Sequence, residues 1–237
     1  MKISVVIPAY NEEHYIGLCI QSVREQHSED IIEIIVVDNG STDGTFATAE
    51  KFHGITVLRE SKKGPSHARQ LGFLEAKGDY VAFIDADTRV PAGWINKIKK
   101  EFAQSPKLVC LSGPFRYYDL PPLHKFFAEL LWGITAKPTY WVTGFMALFA
   151  NCVIRRDALI IIGGIDTSVA FYGDDTNLAW RLSKVGNVKF LMSFYILGSG
   201  RRLIHEGLIK TFYTYGISYL SMAFLHKTPA KGYTEIR

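Results

Sequence analysis

Two aspartates, Asp85 and Asp87, stand one residue apart at the end of an apolar run over 80–84. The run predicts a buried strand, and an unpaired carboxylate inside a core is strongly destabilising. In extended backbone, residues i and i+2 share a face, so both side chains can converge on one site. Carboxylate oxygens suit Mg²⁺ or Mn²⁺ in combination with substrate phosphates. The pair therefore predicts a divalent-cation site, and the alternative is that both aspartates cap a turn.

Two adjacent arginines, Arg201 and Arg202, follow the small residues over 198–200. Paired guanidinium groups match phosphate oxygens, so this segment predicts a mobile loop that closes over a diphosphate. The alternative is a solvated pair of surface charges. His205 is a candidate additional metal ligand, with a surface histidine as the alternative.

Alternating strand and helix patterns position the aspartate pair. Apolar runs predict strands over 3–7, 31–37, 55–58 and 80–84, and the segments between them predict helices over 11–26, 42–52 and 66–77. This order predicts an α/β protein with a mostly parallel sheet flanked by helices. Ligands of such sheets bind at the carboxyl ends of the strands, where the polar segments 8–12, 38–41 and 85–87 would meet.

The alternation is lost after Pro91, and the second half predicts a more mixed arrangement. Patterns in this half predict helices over 94–102 and 123–132 and a strand over 108–112. Asp174 and Asp175 stand near the start of a helix predicted to run through Arg181, where the free N–H groups favour carboxylates. One open alternative is that both cap this helix and that one pairs with Arg181.

Composition and charge narrow the class of protein. The 237 residues carry 27 Lys and Arg against 23 Asp and Glu, without the dense basic stripe of a nucleic-acid binder. Three cysteines without metal-like spacing suit a reducing compartment. Pro8 breaks the N-terminal apolar run too early for a signal peptide, and charges over 155–157 interrupt the most apolar region. We expect a cytoplasmic protein, with the inner face of the cell membrane as a candidate location.

Five segments, in this order and spacing, resemble the family 2 glycosyltransferases of GT-A fold. They are S-V-V-I-P-A-Y-N-E-E, I-I-V-V-D-N-G-S-T-D-G-T, G-P-S-H-A-R-Q-L-G, G-D-Y-V-A-F-I-D-A-D and Y-G-D-D-T-N-L-A-W-R-L. The resemblance covers residues 3 to about 186. It implies a Rossmann-like central sheet and a single domain over 1–237. The half over 1–90 would bind a nucleotide sugar, and the half over 91–237 would bind the acceptor and end in an aromatic helix.

The resemblance also implies which residues meet a UDP or GDP sugar. They are Pro8, Ala9, Tyr10, Glu12, Asp38, Asn39, Gly64, Arg69, Asp85, Ala86 and Asp87. Two positions depart from the family pattern, because Asn39 stands in place of the second aspartate and Gln70 in place of an asparagine. An asparagine oxygen still accepts a base N–H, so uridine and guanosine both stay open. Gly144 and Phe145 resemble the small-residue turn on the acceptor side, with ordinary strand packing as the alternative.

The implied chemistry is a sugar transfer assisted by a metal ion. Loss of a nucleoside diphosphate from an anomeric carbon develops negative charge, which a cation held by Asp87, with Asp85 beside it, would neutralise. The acceptor hydroxyl must lose a proton to a base within hydrogen-bond reach. The resemblance implies Asp175 as this base, next to Asp174 in place of the family's glutamate, and a single displacement that inverts the anomeric configuration.

Aromatic residues crowd the segments 115–141 and 208–224, with Lys125, Lys137, Lys210 and Lys227 near them. Tryptophan, tyrosine and lysine together favour a membrane interface, whereas a core or a dimer contact is the alternative.

The leading function is a hexosyltransferase acting on a saccharide, a cell-envelope polysaccharide or a lipid-linked acceptor. The competing functions are a polyprenyl-phosphate sugar synthase and a catalytically silent nucleotide-sugar-binding protein. A nicotinamide-binding enzyme is disfavoured, because no G-x-G-x-x-G follows the first strand.

Overall fold

A computed structural model of the chain describes residues 1–169 and 173–225. Tyr172 of the fifth family-like segment, and Lys227 beyond the aromatic helix, lie outside the described residues. The strands are β1 Ile3–Ala9, β2 Ile31–Asp38, β3 Thr56–Arg59, β4 Tyr80–Ile84, β5 Thr88–Arg89, β6 Leu108–Ser112, β7 Phe115–Tyr117, β8 Asn151–Arg155, β9 Asn187–Phe190 and β10 Ile196–Gly198. The helices are α1 Ile16–Arg24, α2 Thr45–Glu50, α3 Pro65–Glu75, α4 Trp94–Gln104, α5 Pro122–Thr143, α6 Arg156–Ile161, α7 Asp174–Ser183, α8 Arg201–Glu206 and α9 Leu208–Leu225.

The described strands form a large mostly parallel sheet and a small mixed one. The large sheet has the order β3-β2-β1-β4-β8-β6-β9, and the small one has the order β5-β10-β7. β1 pairs in parallel with both β2 and β4, whereas β8 runs antiparallel to both β4 and β6. The predicted α/β class and mostly parallel central sheet are confirmed. The carboxyl ends of β1, β2 and β4 therefore lie side by side, which places the polar segments that follow them at one edge.

Buried side chains cover both faces of the large sheet. Alternate residues of β1 point to opposite faces, so Val5 packs with α1 and α4 while Val6 packs with α3 and α7. Gly72 lets α3 approach β1 closely, because a Cβ at this position would lie 2.3 Å from a methyl carbon of Val6. Cys19 and Cys152 are buried and free.

Several predicted bounds were wrong. The helix predicted over 11–26 begins only at Ile16, because Asn11 has a φ of 53° and a turn precedes the helix. The helix predicted over 123–132 continues to Thr143 and includes Pro138. The loop predicted over 198–202 is shorter, since Gly198 ends β10 and Arg201 begins α8. The carboxylate of Asp119 anchors this connection by accepting bonds from Ser199 Oγ and Gly200 N, each at 2.6 Å.

Candidate active site

A cavity of about 720 Å³ opens at the carboxyl edge of β1, β2 and β4. Most of the predicted site residues line it, namely Pro8, Ala9, Tyr10, Glu12, Asn39, Gly64, Arg69, Asp85, Ala86, Asp87, Asp174, Asp175, Arg201 and Arg202. Asp38, Gly144, Phe145 and His205 are not among the lining residues. The fold thus gathers onto one cavity residues that span almost two hundred positions of the chain.

Asp38 ends β2 and is buried beside the cavity residue Asn39. Asp38 Oδ2 accepts a bond from Ser41 N at 3.4 Å. Its other oxygen, Oδ1, has no hydrogen-bond partner within the part of the chain that the structure describes. A buried carboxylate oxygen without a partner is costly, so a ligand N–H or O–H group would stabilise it.

The Asn39 side chain holds the segment 60–64 at the rim of the cavity. Its Nδ2 donates to the carbonyls of Glu60 and Lys62 at 3.1 and 2.8 Å, and its Oδ1 accepts from Gly64 N at 2.7 Å. Both amide hydrogens are therefore used inside the protein. One lone pair of Oδ1 stays available for a base N–H, so the predicted contact with the base stays a prediction.

Asn39→Asp is expected to weaken this rim. A carboxylate cannot donate, so it would face the carbonyls of Glu60 and Lys62 without the two bonds, at a cost of about 1–3 kcal/mol. We expect a lower thermal unfolding midpoint and weaker nucleotide binding by calorimetry. Asn187→Asp, at an exposed asparagine, is the matched control. Wild-type stability and affinity in Asn39→Asp would show that the amide does not hold the rim.

Arg69 is buried at the centre of the site and joins two carboxylates. Its Nη2 lies 3.0 Å from Asp85 Oδ1, and its Nη1 lies 3.0 Å from Asp174 Oδ2. The guanidinium carbon lies 4.2 Å from the ring centroid of Phe149. Burial alone would lower the pKa of Arg69, but the carboxylates of Asp85 and Asp174 outweigh it and raise the pKa. Arg69 therefore stays charged and fixes both aspartates in place.

Asp174 and Asp175, at the start of α7, have different hydrogen-bond partners. Arg69 pairs with Asp174, so the alternative in which Arg181 pairs with one of the two aspartates was wrong. Arg181 instead donates to the carbonyls of Gly164, at 2.9 Å, and Ile162. Burial raises the pKa of Asp174 to about 6, although Arg69 opposes the rise.

Asp175 is held by the backbone and not by an arginine side chain. Its Oδ1 accepts a bond from Phe149 N at 2.7 Å. Burial, and then the neighbouring charge of Asp174, raise the pKa of Asp175 well above its usual range. A carboxylate with a raised pKa is a stronger proton acceptor, which is the property a general base needs.

Arg201 bridges two acidic residues, Glu12 and Asp87. Its Nη1 donates to Glu12 Oε2 at 2.9 Å, and its Nη2 donates to Glu12 Oε1 and lies 3.1 Å from Asp87 Oδ2. Burial raises the pKa of Asp87 to about 7, and Arg201 opposes the rise. Glu12 thus holds the Arg201 guanidinium next to Asp87. Arg202 pairs with Glu206 at 3.2 Å and also lines the cavity.

Asp85 and Asp87 fit a divalent cation that also takes ligands from a substrate. The side chains of Asp85 and Asp87 are 35% and 21% exposed, and both line the cavity. Residues 1–169 and 173–225 contain no group of three or more His, Cys, Asp or Glu side chains that could hold a metal ion by themselves. Mg²⁺ and Mn²⁺ are typically held by one or two carboxylates together with substrate phosphates, so the pair suffices. His205 is exposed on α8, which favours the surface alternative.

The segment after α5 links Asp175 to α9. Gly144 ends α5 with a φ of 75°, and Phe145 O accepts bonds from Thr143 Oγ1 at 2.8 Å and Tyr219 Oη at 2.5 Å. Residues 146–150 line the cavity, although Gly144 and Phe145 do not. The strand packing considered for this segment is wrong, because the strand β8 begins only at Asn151.

The part of the cavity that α5 and α9 line was not identified from the sequence. Its walls come from the inner faces of α5 and α9, including Trp132, Thr135, Thr139, Phe212 and Tyr219. The aromatic content of both segments was noted, but periodicity does not show which face of a helix lines a cavity. The pairing of Glu12 with Arg201 was also missed, since the two residues lie 189 positions apart.

The large sheet, the small mixed sheet and the carboxylate pair after β4 together define a GT-A fold. A family model described as "Glycosyl transferase family 2" matches residues 4–162, which is more than half of the chain. The chain therefore belongs to glycosyl transferase family 2.

One curated relative and two solved structures are similar to this chain. The chain is 33% identical over 107 residues to "Glycosyltransferase GlyA" of Streptococcus pneumoniae serotype 4, a match over 44% of this chain and 15% of GlyA. The chain thus spans well under two thirds of that relative. The mannosyltransferase PcManGT of Pyrobaculum calidifontis, solved with GDP-Man and Mn²⁺, has a TM-score of 0.71 and 20% identity, over 96% of this chain and 66% of PcManGT. Glucosyl-3-phosphoglycerate synthase of Mycobacterium tuberculosis was solved with Mn²⁺, UDP-glucose and phosphoglyceric acid. It has a TM-score of 0.65 and 20% identity, over 94% of this chain and 79% of the synthase.

Proposed function

We propose that this chain is an inverting glycosyltransferase that moves a hexose from a nucleotide-diphosphate sugar to a hydroxyl acceptor. The observation that carries the proposal is the single cavity lined by Asp85, Asp87 and Asp175. In this proposal, Asp85 and Asp87 would bind the cation and Asp175 would act as the base, each facing the same space. The neighbours solved with GDP-Man or UDP-glucose and Mn²⁺ support a UDP or GDP sugar as donor.

Residues at the aspartate pair would bind the diphosphate end of the donor. Asp87, with Asp85 beside it, would hold Mg²⁺ or Mn²⁺, and the bound cation would neutralise charge on the leaving phosphate. Arg201 lies 3.1 Å from Asp87 and would donate to the same phosphate oxygens. Arg69 holds the Asp85 carboxylate in position through their ion pair. This part of the cavity thus supplies positive charge where the bond to the sugar breaks.

Asp175 would take the proton of the acceptor hydroxyl. The bond from Phe149 N fixes the orientation of its carboxylate, and the raised pKa increases its basicity. A hydroxyl oxygen that loses its proton there would attack the anomeric carbon from the side opposite the diphosphate. Such a single displacement inverts the anomeric configuration.

A polyprenyl-phosphate sugar synthase is the second candidate, because aromatic and aliphatic side chains of α5 and α9, among them Trp132, Phe212 and Leu220, line part of the cavity. A lipid phosphate is already ionised and needs little help from a base. Full turnover on a lipid phosphate after Asp175→Asn would favour this function over transfer to a hydroxyl group.

Titration of UDP and GDP with and without Mn²⁺ tests the donor site. We expect Mn²⁺ to strengthen binding of one nucleotide at least about tenfold, and we expect Asp87→Ala to remove this gain, because a carboxylate ligand of the cation is lost. Glu75→Ala, at an exposed glutamate of α3, is the control.

Each other result of this titration has a definite meaning. Unchanged Mn²⁺ dependence in Asp87→Ala would exclude Asp87 as a metal ligand. Tight nucleotide binding without hydrolysis or transfer across many acceptors would point to a catalytically silent binding protein.

A further inference from the structure

The outer faces of α5 and α9 concentrate the exposed apolar surface of the molecule. Among the described residues, seven exposed large hydrophobic side chains lie on α5, seven on α9 and seven on all the rest. On α9, Ile209, Tyr213 and Ile217 follow at one-turn spacing and form a single stripe. On α5, Leu130, Ile134 and Trp141 form a similar stripe at helical spacing. We call these two stripes the apolar face.

The core does not account for the apolar face, because each helix packs on the protein with its opposite side. Trp132 of α5 contacts the rings of Phe190 and Phe212, with centroids 6.2 and 5.9 Å apart. Ser218 and Met222 of α9 are buried. By contrast, Trp141 of α5 is 87% exposed and Ile209 of α9 is 82% exposed. Apolar surface of this extent on two neighbouring helices indicates a partner.

The charges of these helices favour an anionic partner. The two helices carry three lysines, Lys125 and Lys137 on α5 and Lys210 on α9, and one acidic residue, Glu129. Lys137 lies on the same stripe as Ile134, three residues away. Exposed tryptophan and tyrosine beside lysine is the arrangement that suits the headgroup region of an anionic bilayer.

No helix in the described ranges is long and apolar enough to cross a membrane, so contact through these helices would lie in the plane of the interface. The inner faces of α5 and α9 line the cavity that also holds Asp87 and Asp175. In the part of the cavity that α5 and α9 line, Ser218 Oγ is buried and lacks a hydrogen-bond partner among the described residues. A polar group of an entering acceptor would satisfy this hydroxyl.

We propose that the apolar face docks on an anionic lipid bilayer, and that the part of the cavity lined by α5 and α9 admits a lipid-linked acceptor from that bilayer. The docking is independent of sugar transfer, whereas the route of the acceptor rests on the proposed function. The enzyme would then work at the bilayer surface, because its acceptor is anchored in the lipid.

Co-sedimentation of the full chain with vesicles tests the docking. We expect binding to phosphatidylglycerol-containing vesicles and much weaker binding to pure phosphatidylcholine. Trp141→Ser with Ile209→Ser should reduce the affinity at least about tenfold by removing buried apolar surface. Lys137→Glu with Lys210→Glu should reduce it at least about tenfold through charge, and only on anionic vesicles. Leu74→Ser with Ile161→Ser, at exposed positions on other helices, is the control and should bind as the wild type does.

Unfolding midpoints equal to wild type would confirm that the variants fold, since the substituted side chains are exposed. Absence of binding to anionic vesicles by the wild type would overturn the proposal. A wild-type dimer that the Trp141 and Ile209 substitutions dissociate, without lipid binding, would overturn it in favour of a second copy of the chain. Titration of UDP and GDP on the same variants separates the two proposals, because docking with no nucleotide binding would contradict the proposed function alone.

Discussion

Asp175→Asn is expected to lower kcat for transfer to a hydroxyl acceptor by about 10²–10⁴-fold, the usual contribution of a general base. The asparagine oxygen can still accept the bond from Phe149 N, so the site should keep its shape. Nucleotide affinity and the donor KM should therefore stay close to wild type. Single-turnover transfer, together with calorimetric titration of the nucleotide, separates these quantities.

The pH dependence of transfer gives a second readout of the same role. Asp175 must be ionised to accept a proton, and burial together with Asp174 raises its pKa. Activity should therefore fall as the pH drops through a pKa that lies above the usual aspartate range. In Asp175→Asn, the residual activity should lose this acidic limb, because the titrating group is absent.

Asp174→Asn is the control that tells the two neighbouring acids apart. Asp174 pairs with Arg69 at 3.0 Å, so Asp174→Asn should lower the free energy of unfolding. Its effect on the acidic limb of transfer should be the smaller one. A wild-type kcat in Asp175→Asn, with an acidic limb that disappears only in Asp174→Asn, would assign the base to Asp174. Wild-type kcat in both variants would contradict base catalysis by this pair.

Arg69→Met is expected to destabilise the fold by about 3–5 kcal/mol, since it leaves buried charge without its partner. Arg69 and Asp174 are both buried, and Asp85 loses the same guanidinium. Methionine retains apolar bulk against Phe149, so the loss reports mainly on charge. Urea unfolding followed by circular dichroism measures the change in the free energy of unfolding.

Arg155→Met provides the matched control for Arg69→Met. Arg155 pairs with the exposed Asp157 at 3.0 Å, and such surface pairs contribute about 0–1 kcal/mol. Adding Asp174→Asn to Arg69→Met should restore part of the lost stability, because the uncompensated charge is removed. Equal small losses in Arg69→Met and Arg155→Met would show that the buried pairs do not hold the site together.

Part of the fold and site could be predicted from the sequence alone. The predicted strands over 80–84 and 108–112 coincide with β4 and β6, because continuous apolar runs bounded by polar residues leave little freedom in their ends. The order of strands and helices also fixed the edge at which Asp85 and Asp87 would stand. Parallel neighbours end at the same edge, so this inference needed no knowledge of tertiary contacts.

The tertiary structure alone decided which charges pair and which surfaces cover one another. Arg69 meets Asp174 across 105 positions, and Arg201 meets Glu12 across 189. The strand β8 inserts antiparallel between β4 and β6, a position that the apolar pattern of the sequence did not indicate. Periodicity reports that a face is buried, but it carries no information about the distant element that buries it. The roles of Asp174 and Asp175 therefore separate only when Arg69 and the backbone of Phe149 are brought beside them.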